Sequence, residues 1–264
     1  MQDFSSLETL IVTLDLAQRV AHVTLNRPES KNAMNFKMVE ELYQVFTGLK
    51  GNRQIRAILL SGAGSTFCAG GDIKEMREKA VPSENREANL DALLRACNTA
   101  DQVIIAKVEG AALGGGFGLV CVSDIAIAST TAQFGLPEVR LGVSPAFISP
   151  FVLARLGLTR SRELMLTGRR FNGTMAQDYG LVHEAVTPDE LENAVGRVLE
   201  DVKQCAPNAL ASTKALIFEV LDKSLDDTVA YRANLLNTLR TGDEAQEGLL
   251  AFMQKRPPNW STGE

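Results

Sequence analysis

The segment from Val103 to Val143, VIIAKVEGAALGGGFGLVCVSDIAIASTTAQFGLPEVRLGV, constrains the fold more than any other part of the chain. An apolar, β-rich run (Val103 to Val108) breaks at Gly110 and leads into Gly114-Gly115-Gly116, after which Phe117 to Cys121 can start a buried helix. Each glycine costs a helix about 1 kcal/mol relative to alanine, so three in a row need a reason. Close approach is such a reason: without Cβ atoms, the first amides of a helix can face a ligand oxygen, aided by the positive end of the helix dipole. Further on, Pro137-Glu138 places one carboxylate at the mouth of an apolar stretch. An amide able to hold a negative oxygen and a carboxylate able to move a proton point to acyl-type chemistry.

A second stretch repeats the pattern. Ala57 to Gly62 reads as a buried strand and is followed by Gly64-Ser65-Thr66-Phe67-Cys68-Ala69-Gly70-Gly71-Asp72-Ile73. Strand, small residues and helix thus occur twice, offering two backbone donors to one oxygen. The pair FCAGGDIKEM and EGAALGGGFGL, followed by FGLPEVRLGV, resembles the crotonase superfamily of enoyl-CoA hydratases and isomerases. Asn26-Arg27-Pro28, Asn32 to Asn35, and Glu247-Gly248-Leu249 with Phe252 and Lys255-Arg256 extend the resemblance over nearly the whole chain.

The 264 residues suffice for one large domain or a domain with an appendage. Lysine and arginine number 27 against 32 acidic residues, with no basic block, which argues against a nucleic-acid partner. No leader-like start and no apolar run of about 20 residues is visible, so a cytoplasmic protein without a membrane span is expected. Cys68, Cys97, Cys121 and Cys205 are scattered, without CxxC spacing, which favours reduced thiols over a disulfide or zinc site. His22 and His183 lie in no metal-ligand spacing and read as structural; no metal is expected. Gly114 to Gly118 does not meet the G-x-G-x-x-G spacing, so a nicotinamide dinucleotide is not expected either.

In chain order, Leu7 to Leu16 and Arg19 to Leu25 form an expected hairpin, and a helix starts at Asn35 as N-cap, followed by a strand over Ile55 to Ser61. Lys74 to Asn89, highly charged and containing Pro82, reads as a surface loop, and Leu90 to Ala100 as a helix. Strands are expected at Val103 to Val108, Ser123 to Ala128, Ala132 to Gly135 and Leu181 to Ala185. Helices are expected over Ser144 to Leu156, Arg160 to Leu166 and Thr174 to Gly180, then Pro188 to Lys203, Pro207 to Leu221, Leu225 to Leu239 and Asp243 to Lys255. The alternation gives an α/β fold with mainly parallel sheet. Periodicity does not separate a doubly wound sheet from other α/β folds. The resemblance implies the crotonase-type spiral of ββα units over residues 1–205 and a C-terminal helical trimerisation region over 206–264. It also implies a homo-oligomer, a trimer or a dimer of trimers.

What the resemblance implies for the site is specific. Gly71 and Gly115 correspond to the two oxyanion-hole amides that grip a thioester carbonyl, and Glu138 to the second of two catalytic glutamates. Taken singly, each glycine is equally a tight turn, and Glu138 an exposed turn residue. Coenzyme A, entering as part of an acyl-CoA substrate and not as a separate cofactor, would pass Arg27, Ser30, Lys31 and Ala33, then Ala69, Asp72, Ile73 and Lys74. Phe252 and Lys255 would reach it from the C-terminal helix, often that of a neighbouring subunit. Each lysine also reads as a solvated surface charge. Asp72 reads more readily as an anchor for its loop than as a chemical group.

Gly118 departs from the family pattern, which has the first glutamate there. Three readings follow: hydration by Glu138 alone, isomerisation by one base, or a protein that binds CoA thioesters without turnover. The stretch after Glu138 lacks the usual PGxGG. It is similar to bacterial hydratases of 3-branched glutaconyl-CoA esters in leucine and acyclic terpene breakdown, as is the tail Lys255 to Trp260. Hydratase therefore ranks first and isomerase second. Cys68 to Met76 is closer to ordinary enoyl-CoA hydratases, which leaves isohexenylglutaconyl-CoA open beside 3-methylglutaconyl-CoA. Arg140 is a candidate partner for the distal carboxylate of such an ester, against the plainer reading of a solvent-facing arginine.

Overall fold

The structure, a computed structural model, describes residues 4–78 and 84–262. Leu10–Asp15 (β1) and Val20–Leu25 (β2) pair antiparallel as the expected hairpin. Phe36–Gly48 (α1) follows, N-capped by Asn35, whose side chain accepts from the Met38 amide at 2.9 Å. Then come Ala57–Gly62 (β3), Ile73–Arg77 (α2), Glu84–Asn98 (α3), Val103–Val108 (β4), Ala111–Leu113 (β5) and Gly115–Val122 (α4). Ile125–Ser129 (β6), Gln133–Gly135 (β7), a 3-10 turn over Pro137–Leu141, Ser149–Thr167 (α5), Arg170–Asn172 (β8), Gly173–Asp178 (α6) and Glu184–Val186 (β9) complete the mixed part. Leu191–Lys203 (α7), Pro207–Val220 (α8), Leu225–Thr241 (α9), Asp243–Gln254 (α10) and Asn259–Thr262 (α11) are the C-terminal helices.

The main sheet has the order β1-β2-β3-β4-β6-β9, parallel everywhere except the first hairpin. Strands β3 and β4 each open on four consecutive buried apolar residues, Ala57 to Leu60 and Val103 to Ala106, because both faces are covered there. Ile58, Leu60, Ile104, Ala106, Ala126 and Ala128 face the principal core, while Ala57, Leu59, Val103, Ile105 and Ile127 face the other side and meet α7 through Leu191, Ala194 and Val195. A second layer is built from β5-β7-β8 and continues through single bridges, Cys68 with Ala112 and Met34 with Gly71. Two layers joined by short turns place both glycine stretches and Pro137-Glu138 at one edge.

Several expectations change. The charged stretch after Lys74 is not a loop: α2 and α3 occupy most of it, and only residues 79–83 lie outside the described residues. Asp72 caps α2 by accepting from the Lys74 amide at 3.0 Å. The helix expected over Leu90 to Ala100 is the second half of α3, whose stripe Leu90, Leu93, Leu94 and Cys97, at i, i+3, i+4 and i+7, packs on α1; only its charged first turns, 84–89, fall in the stretch expected as a loop. The two helices expected at 144–166 are both present within α5 and meet at non-helical Gly157 (φ 68°, ψ 170°), but the first begins at Ser149 and not at Ser144. β5 and β8, of three residues each, are too short to show a period. The last strand begins at Glu184, after Leu181 and Val182 have entered the core as loop residues.

Candidate active site

The site is built where the two glycine stretches touch. Gly114 has φ 50° and ψ −117°, a conformation open to glycine, and ends β5 so that α4 can start at once. A Cβ on Gly70 (φ 102°) would lie 3.0 Å from the Leu113 carbonyl oxygen and 3.8 Å from the Gly114 Cα. A side chain at Gly70 would press on the facing loop, and one at Gly114 would press on the Glu138 carboxylate. Behind them, Phe117 of α4 packs edge-on to Phe134 of β7 and Phe171 of β8 (centroids 6.5 and 6.2 Å), and Phe171 continues to Tyr179 at 5.2 Å. These rings hold the α4 N-terminus beside the strand that leads to Pro137-Glu138.

Peptide geometry fixes where the two amides point. The Met34 amide donates to the Gly70 carbonyl at 2.7 Å and the Asp72 amide to the Met34 carbonyl at 2.9 Å. Across a trans peptide the Gly71 N–H points opposite to the Gly70 C=O, so it faces away from Met34, toward the side on which Cys68 pairs with Ala112. In the same way the Gly114 carbonyl accepts from the Gly118 amide at 3.0 Å, down the helix, and the Gly115 N–H points out of its N-terminus. Neither amide donates to a protein acceptor among the described residues. Two thioethers flank them: a Cβ on Gly115 would meet Met34 Cε at 2.3 Å, and one on Gly71 would meet Met76 Sδ at 3.3 Å.

Glu138 sits in the 3-10 turn directly against this junction. Its Oε1 would be 2.9 Å from a Cβ on Gly114, and its Oε2 is buried with no hydrogen-bond partner among the described residues. Burial raises its pKa, only partly opposed by its own backbone amide. The arrangement combines two unpaired amides, that of Gly115 at the α4 N-terminus and that of Gly71 in the facing loop, with a partly desolvated carboxylate, and can stabilise an oxyanion and exchange a proton. At Gly118 the space is closed: a Cβ there would lie 2.4 Å from Ile148 Cγ2.

The residues expected along coenzyme A divide in two. Residues 27–33 and 69–74 form one surface: Ala69 donates to the Lys31 carbonyl at 3.0 Å, and Arg27 Nη1 binds the Ala33 carbonyl at 2.6 Å and Asp72 at 3.0 Å. Burial alone would raise the Asp72 pKa, but Arg27 and the Lys74 amide bring it below the usual carboxylate range. Ser30 is half-buried, while Lys31, Ile73 and Lys74 are exposed. Phe252 (84% exposed) and Lys255 instead lie at the end of α10, and no hydrogen bond or ion pair joins them to that surface among the described residues. Arg140 Nε donates to the Thr167 carbonyl at 2.9 Å. His183 is structural: Nδ1 accepts from the Ala126 amide, and burial and Arg155 lower its pKa.

Two residues that pattern reading passed over matter here. Asn32, fully buried at φ 53°, accepts from the Arg27 amide and donates to the carbonyls of Ala63 and Thr66, pinning the first glycine loop. Asparagine's tolerance of the left-handed region was the available signal. Ile148 carried no signal, since its role is to fill the space beside Gly118.

Comparison with known proteins agrees with this geometry. Residues 15–263 match the Enoyl-CoA hydratase/isomerase family. The chain superposes on the Pseudomonas aeruginosa protein AtuE with a TM-score of 0.93 and 46% identity, covering 96% of this chain and 100% of that one. It is 32% identical over 249 residues to a short-chain-enoyl-CoA hydratase of Clostridium acetobutylicum, covering 93% of this chain and 95% of the relative. A mevalonyl-coenzyme A hydratase of Aspergillus fumigatus is 30% identical over 251 residues, with 90% of both chains covered. The chain, with its crotonase α/β fold, belongs to the enoyl-CoA hydratase/isomerase family.

Proposed function

We propose that this protein hydrates an α,β-unsaturated acyl-CoA of the 3-branched glutaconyl type, such as 3-methylglutaconyl-CoA or isohexenylglutaconyl-CoA. The observation that carries the reading is the Glu138 carboxylate, its Oε1 set against Gly114 and its Oε2 buried with no partner among the described residues. Glu138 takes a proton from water as the water oxygen bonds to C3 of the substrate. The C2=C3 electrons move toward the thioester, whose oxygen becomes negative and is held by the amides of Gly71 and Gly115. Protonated Glu138 then returns its proton to C2. Because one carboxylate serves both steps, the water oxygen and the proton add to the same face of the double bond. Each oxyanion donor is worth about 3 kcal/mol of transition-state stabilisation.

The branched substrate is favoured by apolar side chains exposed on both site loops, Ile73 and Met76 on α2 and Leu141 and Val143 after Glu138. It also agrees with the likeness to a hydratase named for mevalonyl-CoA, an acyl group branched at C3. Coenzyme A runs along Arg27, Ser30, Lys31, Ala33, Ala69, Asp72, Ile73 and Lys74, with Arg27 and Asp72 shaping the surface through their mutual ion pair. Residues 1–205 form the catalytic core. Residues 206–264 form the oligomerisation region, whose Phe252 and Lys255 serve the site of a second copy in a trimer or dimer of trimers. The exposed apolar residues Leu225, Leu236, Leu249, Phe252 and Met253 support that assembly.

Isomerisation of a 3-enoyl-CoA is the second reading, favoured by the closed space beside Gly118, which leaves one carboxylate at the site. A panel of crotonyl-CoA, a 3-enoyl-CoA, 3-methylglutaconyl-CoA and isohexenylglutaconyl-CoA, read by mass, separates them. Gain of a water from the branched glutaconyl esters supports hydration, and mass-neutral conversion supports isomerisation. Tight binding without turnover would leave a binding protein. Replacing Glu138→Gln should lower kcat about 10²- to 10⁴-fold with KM little changed.

A further inference from the structure

Among the described residues no side chain hydrogen-bonds the Glu138 carboxylate, and its Oε2 is buried with no partner. Its aim therefore depends on the turn Pro137–Leu141. One end of that turn is anchored by Pro137 and by the strand pairing of β7 just before it. The other end emerges to solvent: Val139, Leu141 and Val143 are exposed, and Gly142 (φ 77°) closes the turn with its amide on the Glu138 carbonyl. From this solvent-facing end Arg140, itself exposed, reaches across to α5. Its Nε donates to the Thr167 carbonyl at 2.9 Å, in the last turn of that helix. The stem lies flat on Gly168, where a Cβ would be 3.1 Å from Arg140 Cγ and Nε. Gly168 (φ 59°) is the left-handed C-cap of α5, so one glycine both ends the helix and makes room for the arginine.

We propose that Arg140 is a positioning residue: it straps the turn carrying Glu138 to the C-terminal end of α5 and so fixes where the carboxylate points. The proposal rests on the reading of Glu138 as the proton-transfer group. It differs from a role for Arg140 in binding the distal carboxylate of the substrate: the strap uses the Nε and the stem, that role would use Nη1 and Nη2, and the test below separates the two.

The test compares Arg140→Met, which keeps the stem but loses the donor, with Arg140→Lys, which restores a donor at the end of a similar stem. Measured quantities are kcat and KM on the best substrate of the panel and Ki for 3-methylcrotonyl-CoA, which lacks the distal carboxylate. All are read well below each variant's melting temperature. Arg140→Met should lower kcat about 5- to 30-fold while KM and Ki stay within about twofold, the signature of lost alignment and not of lost binding. Arg140→Lys should recover most of that loss. A folded Arg140→Met with unchanged kcat overturns the proposal. So does a KM that rises on the carboxylate-bearing ester while kcat and the Ki of the analogue hold, which would make Arg140 a substrate contact. Glu138→Gln in parallel keeps the two levels apart: if it retains turnover, the base assignment itself fails. If it is inactive while Arg140→Met equals the unaltered protein, only the strap fails. Absence of turnover in the unaltered protein overturns both.

Discussion

Glu138 is a carboxylate placed where its charge is partly desolvated, and that placement has opposite consequences for activity and stability. Because burial raises its pKa, the ionised form that the proposed hydration requires is lost as pH falls through a value above that of an ordinary glutamate. The acid limb of a kcat/KM–pH profile should therefore have its midpoint above about 4.3, the usual glutamate value. A limb at or below that value would show that the carboxylate is not desolvated in the working enzyme. The same shift costs stability at neutral pH and returns it as pH falls into the raised range. Glu138→Gln should accordingly melt no lower at pH 7 than the parent, while losing turnover. Gly118 gives a second prediction. Gly118→Ala drives a Cβ to 2.4 Å from Ile148 Cγ2 and should destabilise the protein by about 1–3 kcal/mol. Adding Ile148→Ala removes the opposing methyl, so the double variant should lose clearly less than the sum of the two singles in denaturant titration.

At the level of elements, the segment before β1 is tied to α1 by one buried side chain. Glu41, whose side chain is 2% exposed, accepts from the amides of Glu8 and Thr9, both at 2.9 Å, and from the Thr9 hydroxyl at 2.5 Å, with Lys37 at 3.6 Å. Burial would raise its pKa, but these donors outweigh it and the net shift is downward. The depressed value means stability present above the unfolded pKa and lost as pH falls through the folded one, below about pH 4.3. Glu41→Ala should cost about 2–4 kcal/mol, since it strands buried donors. The deficit should shrink in melts run at acid pH, where the carboxylate is protonated in both states. A deficit constant with pH would assign it to packing instead.

Across the whole molecule, the C-terminal helices are joined to the core by buried cations. Lys214 of α8, 7% exposed, donates to the Gln102 carbonyl at 3.0 Å and to Asp124 at 2.6 Å. Arg56, at the edge of β3, donates to the carbonyls of Lys203 and Trp260 and so holds the end of α7 and α11. Removing one partner of a fully buried pair costs about 3–5 kcal/mol. Asp124 is 26% exposed, so Lys214→Met should cost less, about 1–3 kcal/mol, seen as a lowered midpoint in urea. Beyond these anchors, α9 and α10 present Leu225 (78% exposed), Phe252 (84%) and Met253 (79%) to solvent. Light scattering should find three or six chains per particle, and Phe252→Asp should shift that distribution toward single chains. A monodisperse single chain would overturn the assignment of residues 206–264 to assembly.

The sequence by itself determined much of this, through local signals. Runs of four apolar residues marked β3 and β4, Asn35 marked the start of α1, and proline and glycine marked helix ends at Pro207 and Gly168. The glycine clusters and Pro137-Glu138 named the site because backbone close approach leaves a compositional trace. Contacts between segments distant in the chain left none. Strands β5 and β8 exist through pairing to β7 and are too short to carry a period. The first turns of α3, 84–89, are polar and charged in sequence, so only its apolar half from Leu90 showed a helical period. The tertiary structure alone decided that Gly70 meets Gly114, that Ile148 fills the space beside Gly118, and that Arg140 turns to the Thr167 carbonyl. Each of these is a matter of what shares a volume, and a linear pattern records only what neighbours along the chain prefer.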